Sequence, residues 1–143
     1  MASRPARPRP KAPHLFAGFG QLHYRWSAAM LVSILHRATG SAMALVGAPL
    51  FVWWLVALAS GEEAYATFTN VFTYSEGGLN IVGYVVGIGL TFSVFQHMMS
   101  GVRHLVLDVG AAYELKANRF SAMLTIVLAV LLTLVFWLWL GVK

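Results

Sequence analysis

The sequence predicts an all-α protein with three transmembrane helices, and three observations predict it. Apolar residues fill 59% of the 143 positions and charged residues only 10%, too little polar surface to coat a water-soluble globule. Three apolar runs, 38–59, 81–99 and 121–140, are each near the length that a spanning helix needs. Charge is segregated. Arg4, Arg7, Arg9, Lys11, Arg25 and Arg37 precede the first run, and Arg103, Lys116 and Arg119 separate the second from the third. The connection between the first two holds Glu62, Glu63 and Glu76 with no lysine or arginine. By the positive-inside rule the amino terminus and second connection face the cytoplasm, and the first connection and Lys143 face outward. The net charge of +5 is therefore assigned to topology rather than to nucleic acid.

Taken in order, the chain opens with an expected cytoplasmic arm over 1–26, followed by a transmembrane domain over 27–143 with spans at about 27–60, 79–109 and 120–141. Met1 to Pro13 has no apolar core, so it does not read as a secretory signal. Pro5, Pro8, Pro10 and Pro13 oppose an amphipathic transit helix, which favours a bacterial inner-membrane protein. Tyr24 and Trp26 suit the headgroup zone. The first helix starts near Ser27, carries Pro49 as a candidate kink and ends at Ser60-Gly61. Residues 62–79 form an outer loop with a short surface helix around Glu63 to Val71, closed by Gly77-Gly78. Helix two carries Gly83, Gly87 and Gly89, a small-residue stripe against which another helix can pack. It runs past Met99 to the cytoplasmic surface near Gly110. The third span is uncharged from Ser121 to Leu140 and places Trp137 and Trp139 at its outer end, for packing and anchorage. With three spans in a chain of this length, any reaction is expected inside the membrane or on a partner. Cysteine is absent, so metal ligation by this chain falls to histidine.

Two polar cassettes interrupt the apolar runs: Ser33 to Arg37, and Gln96-His97 through Arg103-His104. Ionisable groups at membrane depth are costly and usually functional. Helical spacing puts Ser33, His36 and Arg37 on one side of helix one, and His97, Gly101 and His104 on one side of helix two. The helices are antiparallel and both cassettes lie toward the inner leaflet, so they can form one composite site. Heme suits it, since heme needs an imidazole on iron, apolar walls and cations near its propionates. His97 is the candidate ligand, lying deeper than His104 by about 10 Å of helical rise. Gly101 leaves room for a flat macrocycle, and His36, Arg37 and Arg103 are placed to meet the propionates. Plainer readings stand beside these. His97 can be a hydrogen-bonded packing residue, and His104 can pair with Asp108. Arg103 can snorkel to lipid phosphate, and Ser33 can bond back to its own helix. His14 and His23 read as solvated.

These stretches resemble the cytochrome b556 anchor subunits of succinate dehydrogenase, respiratory complex II. The resemblance is carried by Arg7-Pro8-Arg9-Pro10, Pro13-His14-Leu15, Tyr24-Arg25-Trp26, Ser33 through Gly40, and His97 through Asp108. It covers all three spans in order. It implies that His97 is one axial ligand of heme b, the second coming from a partner anchor subunit, in a heme-binding helix bundle that the two subunits form together. It implies that Ser33 and Arg37 line a ubiquinone site, and that His36 and Arg37 lie near the propionates. The implied partners are a flavoprotein subunit, an iron–sulfur subunit, the second membrane anchor and lipid. The implied activity is passage of electrons from succinate oxidation to quinone, with no succinate site on this chain. The sequence departs from the family at Ala12, where serine is usual, and in the longer stretch Phe16 to His23 before Tyr24. Those departures bear on the arm and leave both cassettes intact. Two other functions remain open at this point: the anchor of a fumarate reductase running in reverse, and a heme-free scaffold or proton-conducting bundle.

Overall fold

Ser27 opens the first helix, its hydroxyl accepting the Met30 N–H at 3.3 Å, the service a serine performs at a helix N-cap. From there α1 spans Ala28–Ala42 and α2 spans Ala48–Ser60, joined by a single π-helical turn at Met43–Gly47. The Ala48 N–H bonds to the Met43 carbonyl, five residues back. The widened turn lies directly before Pro49, whose ring and missing N–H would disrupt an ordinary α-turn there. The expected kink is thus realised as a π turn. These coordinates come from a computed structural model that describes residues 27–142. The arm expected over 1–26, with His14, His23, Tyr24 and Trp26, lies outside the described residues, as does Lys143.

Gly61 breaks the chain at φ 102°, a left-handed conformation open to glycine. The expected surface helix follows as α3, Glu62–Phe72, with Glu62 and Glu63 in its first turn, where the helix dipole favours negative charge. Trp53 packs edge-on to Phe68 at 4.9 Å and against Phe72 at 6.2 Å, fastening α3 to α2. A short hairpin follows. Asn80 ties it shut by donating to the Val71 carbonyl at 2.9 Å while its other side-chain atom accepts from Gly83 N–H at 2.9 Å, capping the next helix. That helix, α4, spans Ile81–Asp108, and α5 spans Leu115–Val142. Between them Gly110, at φ 84°, ends α4, with Ala111 N–H reaching the Val106 carbonyl and Gly110 N–H the Leu107 carbonyl, the paired bonds of a Schellman turn. The third span begins earlier than the uncharged run implied, because Lys116 and Arg119 fit within its first turns at the membrane surface.

Three helical segments, Ala28–Ser60, Ile81–Asp108 and Leu115–Val142, are long and apolar enough to cross a bilayer. The protein is an all-α, multi-pass membrane protein. Its core is small and polar. Ser93, Gln96, Ser100 and Arg103 of α4 are buried, as are Ala122, Thr125, Ala129 and Thr133 of α5 and Val32 and Thr39 of α1. Large aliphatic side chains point outward instead, which suits a bundle solvated by lipid, whose helices gain little from burying leucine and pack through small residues and hydrogen bonds. Most core hydroxyls bond back to their own helices, as Ser93 does to the Gly89 carbonyl and Thr133 to the Ala129 carbonyl, because a polar group left bare in hydrocarbon is costly.

The three helix-two glycines do not serve one neighbouring helix. Gly83 seats the end of α3, where an added Cβ would stand 2.3 Å from the Phe72 carbonyl oxygen. Gly87 makes room for the Trp137 indole, 2.9 Å from the same imagined atom, and Gly89 has nothing within 4 Å. Gly83→Ala is therefore expected to destabilise the outer end by about 3 kcal/mol, the upper part of the usual overpacking range. A clear fall in the thermal unfolding midpoint of the purified protein checks it, with Gly89→Ala as the silent comparison.

Candidate functional site

Both cassettes meet in the half of the bundle near Ala28 and Asp108. His36 and Gly40 of α1 face α4, and His97 of α4 faces back. The two imidazoles stack at 3.9 Å between ring centroids with 13° between planes. His97 Nδ1 lies 3.1 Å from the His36 backbone carbonyl oxygen. A carbonyl has no proton to give, so Nδ1 carries the hydrogen and donates it. The lone pair is then on Nε2, the arrangement in which a ligating histidine is usually held by its second nitrogen. His97 sits eleven residues above Asp108, about 16 Å of helical rise from the inner end of α4.

The remaining members surround this pair. His104 lies on the same face of α4 as His97, its ring 5.4 Å from the His36 ring. It turns toward that cluster, and no ion pair to Asp108 forms among the described residues. Ser33 and Arg37 are exposed on the same side of α1 as His36. Thr39 illustrates the plain behaviour of a helix hydroxyl, donating to the Leu35 carbonyl at 2.7 Å. No described residue hydrogen-bonds the Ser33 hydroxyl, which leaves it free to serve another molecule.

Arg103 goes elsewhere. It follows His97 by six residues, about 240° around an α-helix, and so faces α5 rather than α1. Its Nε donates to Ser121 Oγ at 3.2 Å and its Nη2 to Asn118 Oδ1. It is 8% exposed and lines an apolar recess of about 290 Å³ with Phe120, Leu124 and Leu128. Of the three residues expected at the propionates, His36 and Arg37 are neighbours on α1, while Arg103 bridges α4 to α5. A charged group in hydrocarbon depends strongly on such partners, and hydrogen bonds to it are worth about 1.5–3 kcal/mol each. Asn118→Leu should therefore lower stability by that amount, read as a fall in unfolding midpoint, while leaving the His36–His97 stack in place.

The donor set fits a heme on one side. His97 offers one imidazole nitrogen with its tautomer already selected, at the surface of the chain rather than sealed inside it. Neither other described histidine stands opposite His97 across an open gap. His36 lies flat against the His97 ring. His104 projects from the same helix face as His97. Among the described residues no group of three or more metal-ligating side chains forms. Sequence reasoning had no account of Gly40, Thr39, Asn118 and Ser121. The spacing of Ser93, Gln96, Ser100 and Arg103, alternating three and four residues, was the available signal for the buried polar stripe of α4, of which Arg103 reaches α5.

Comparison with known proteins places these features in context. The family described as Succinate dehydrogenase/Fumarate reductase transmembrane subunit matches residues 5–136. A succinate dehydrogenase cytochrome b556 subunit from Paracoccus denitrificans is 33% identical over 132 residues, covering 90% of this chain and 92% of that one. The protein of the same description from Rickettsia felis is 28% identical over 129 residues, covering 90% of each chain. A succinate dehydrogenase cytochrome b560 subunit from Reclinomonas americana is 30% identical over 131 residues, covering 91% of this chain and 85% of its own.

Proposed function

The chain belongs to the succinate dehydrogenase/fumarate reductase transmembrane subunit family, and from that premise we propose that it holds one side of a heme b and part of a ubiquinone site in a succinate:quinone oxidoreductase. The observation that supports this most directly is the His97 imidazole, whose Nδ1 is committed to the His36 carbonyl at 3.1 Å and whose other nitrogen is free to bind. In this reading His97 would hold the heme iron from this chain, and a second membrane anchor subunit would supply the other protein ligand. His36 and Arg37 balance the propionates. Arg103 would join them only by giving up Asn118 and Ser121.

A heme held there would supply one-electron redox chemistry. The chain's own residues do the rest. Ser33 donates a hydrogen bond to a quinone carbonyl oxygen. Arg37, always protonated, stabilises the negative charge that develops on that oxygen as electrons arrive, an electrostatic contribution directed at the reacting state. The apolar faces of α1 and α4 keep water from the ring. Electrons come from an iron–sulfur subunit fed by a flavoprotein subunit that oxidises succinate; this chain has no succinate site. The relatives carry the names of succinate dehydrogenases, which favours the succinate-oxidising direction over fumarate reduction. Their description as cytochrome b subunits favours a redox carrier over a heme-free scaffold. The location that fits is a bacterial inner membrane, with the amino terminus cytoplasmic and the carboxyl terminus periplasmic. A reduced-minus-oxidised absorption spectrum of the purified complex tests the reading. A b-type heme signal in proportion to this chain supports it, and a featureless trace refutes it.

A further inference from the structure

One turn of α1 holds the His97 ring from three sides. The His36 carbonyl accepts its Nδ1–H at 3.1 Å. The His36 ring lies flat against it at 3.9 Å. Gly40 meets its Nδ1–Cε1 edge so closely that a Cβ there would stand 2.9 Å from Cε1 and 3.3 Å from Nδ1. An imidazole has only two side-chain torsions with which to move away, and the hydrogen bond and the stack constrain both. Glycine is a poor residue for a helix interior, so its place in α1 answers to this contact rather than to helix formation. The carbonyl itself is shared, because the single proton of Thr39 Oγ1 is divided between the Leu35 carbonyl at 2.7 Å and this one at 3.1 Å. Donors that share one acceptor each receive a weaker bond than one would alone.

We propose that Gly40 is a positioning residue for His97: it admits the imidazole to the His36 carbonyl, and so sets both the rotation of the ring and the strength of its Nδ1–H bond. The inference rests on the reading of His97 as a heme ligand. An axial imidazole that donates from its far nitrogen becomes the stronger ligand and favours oxidised iron, which is how outer partners tune a potential. Weakening that bond raises the midpoint potential, and strengthening it lowers it. Ring rotation about the iron–nitrogen axis governs the anisotropy of the low-spin ferric signal.

The test uses the intact complex purified in detergent, with electron paramagnetic resonance and a redox titration of the heme. Gly40→Ala is expected to retain heme but to shift the largest g value and raise the midpoint potential. Thr39→Val removes the competing donor from the same carbonyl and is expected to lower the potential. Gly89→Ala, where an added Cβ meets nothing within 4 Å, is expected to match the wild type in both. An unshifted g value and potential in Gly40→Ala overturn the proposal, whatever Thr39→Val does. Should Gly40→Ala fail to assemble, judged by its heme-to-flavin ratio, Thr39→Val decides: a lowered potential supports the proposal, and an unchanged or raised one overturns it. Failure of the underlying reading looks different, as a wild-type complex without heme or a His97→Leu complex with an unaltered heme spectrum.

Discussion

His97→Leu is expected to remove the heme b signal from the purified complex or to convert it to an altered spectrum with a vacant axial position. His97 is half-buried and keeps one ring nitrogen unbonded, with Nδ1 occupied by the His36 carbonyl at 3.1 Å, whereas exposed His104 lies seven residues nearer the inner end of α4. Leucine fills much of the same volume and keeps α4 helical, so the loss isolates ligation from packing. Stacked His36 cannot take over without leaving the face it occupies 3.9 Å away. The absorption spectrum and the heme-to-flavin ratio check the outcome. An intact bis-histidine spectrum in the variant would assign the iron to another residue.

Ser33→Ala is expected to slow quinone reduction by about 10- to 100-fold while the heme spectrum stays as in the wild type, the loss expected for a hydrogen bond to a group that gains charge. Ser33 is exposed, shares its side of α1 with Arg37 and has no hydrogen bond to a described residue. Alanine at this position also favours the helix, so a fall in rate would reflect lost contact with quinone rather than a weakened α1. Succinate-dependent reduction of a water-soluble dye measures the electron supply separately from the quinone step. Unchanged quinone kinetics in the variant would remove Ser33 from the site.

Much of this was legible in the sequence. Length and hydropathy determine three spans, since hydrocarbon admits few other solutions for backbone polar groups. The four-residue spacing that places Ser33 with Arg37, and the seven-residue spacing of His97 and His104, carry directly into shared helix faces. The short helix α3 was expected nearly at its observed bounds, Glu62–Phe72, because Gly61 and the hairpin glycines frame it. What was not legible depends on which neighbour a face meets. Arg103 reads as a cytoplasmic cation in one dimension, yet its rotation from His97 delivers it to Asn118 and Ser121 of α5. Gly83 and Gly87 look alike in the chain but admit a carbonyl and an indole from different elements. The stacking of His36 on His97 joins residues 61 positions apart, and no local pattern encodes that contact.

The widened turn at Met43–Gly47 gives the first span two angular frames. One residue corresponds to about 100° of azimuth in an ordinary helix, so a helical wheel drawn continuously from His36 to Trp53 puts the outer residues on the wrong sides. Below the turn, the frame is set by what His97 requires; above it, by what the aromatic surface of α3 requires. Deleting one residue within the turn would return it to an ordinary α-turn and keep Trp53 on the side of Phe68 and Phe72, at the cost of setting the Pro49 ring against the carbonyl of the preceding turn. Mutational drift at the outer end is thereby insulated from the geometry of the inner one.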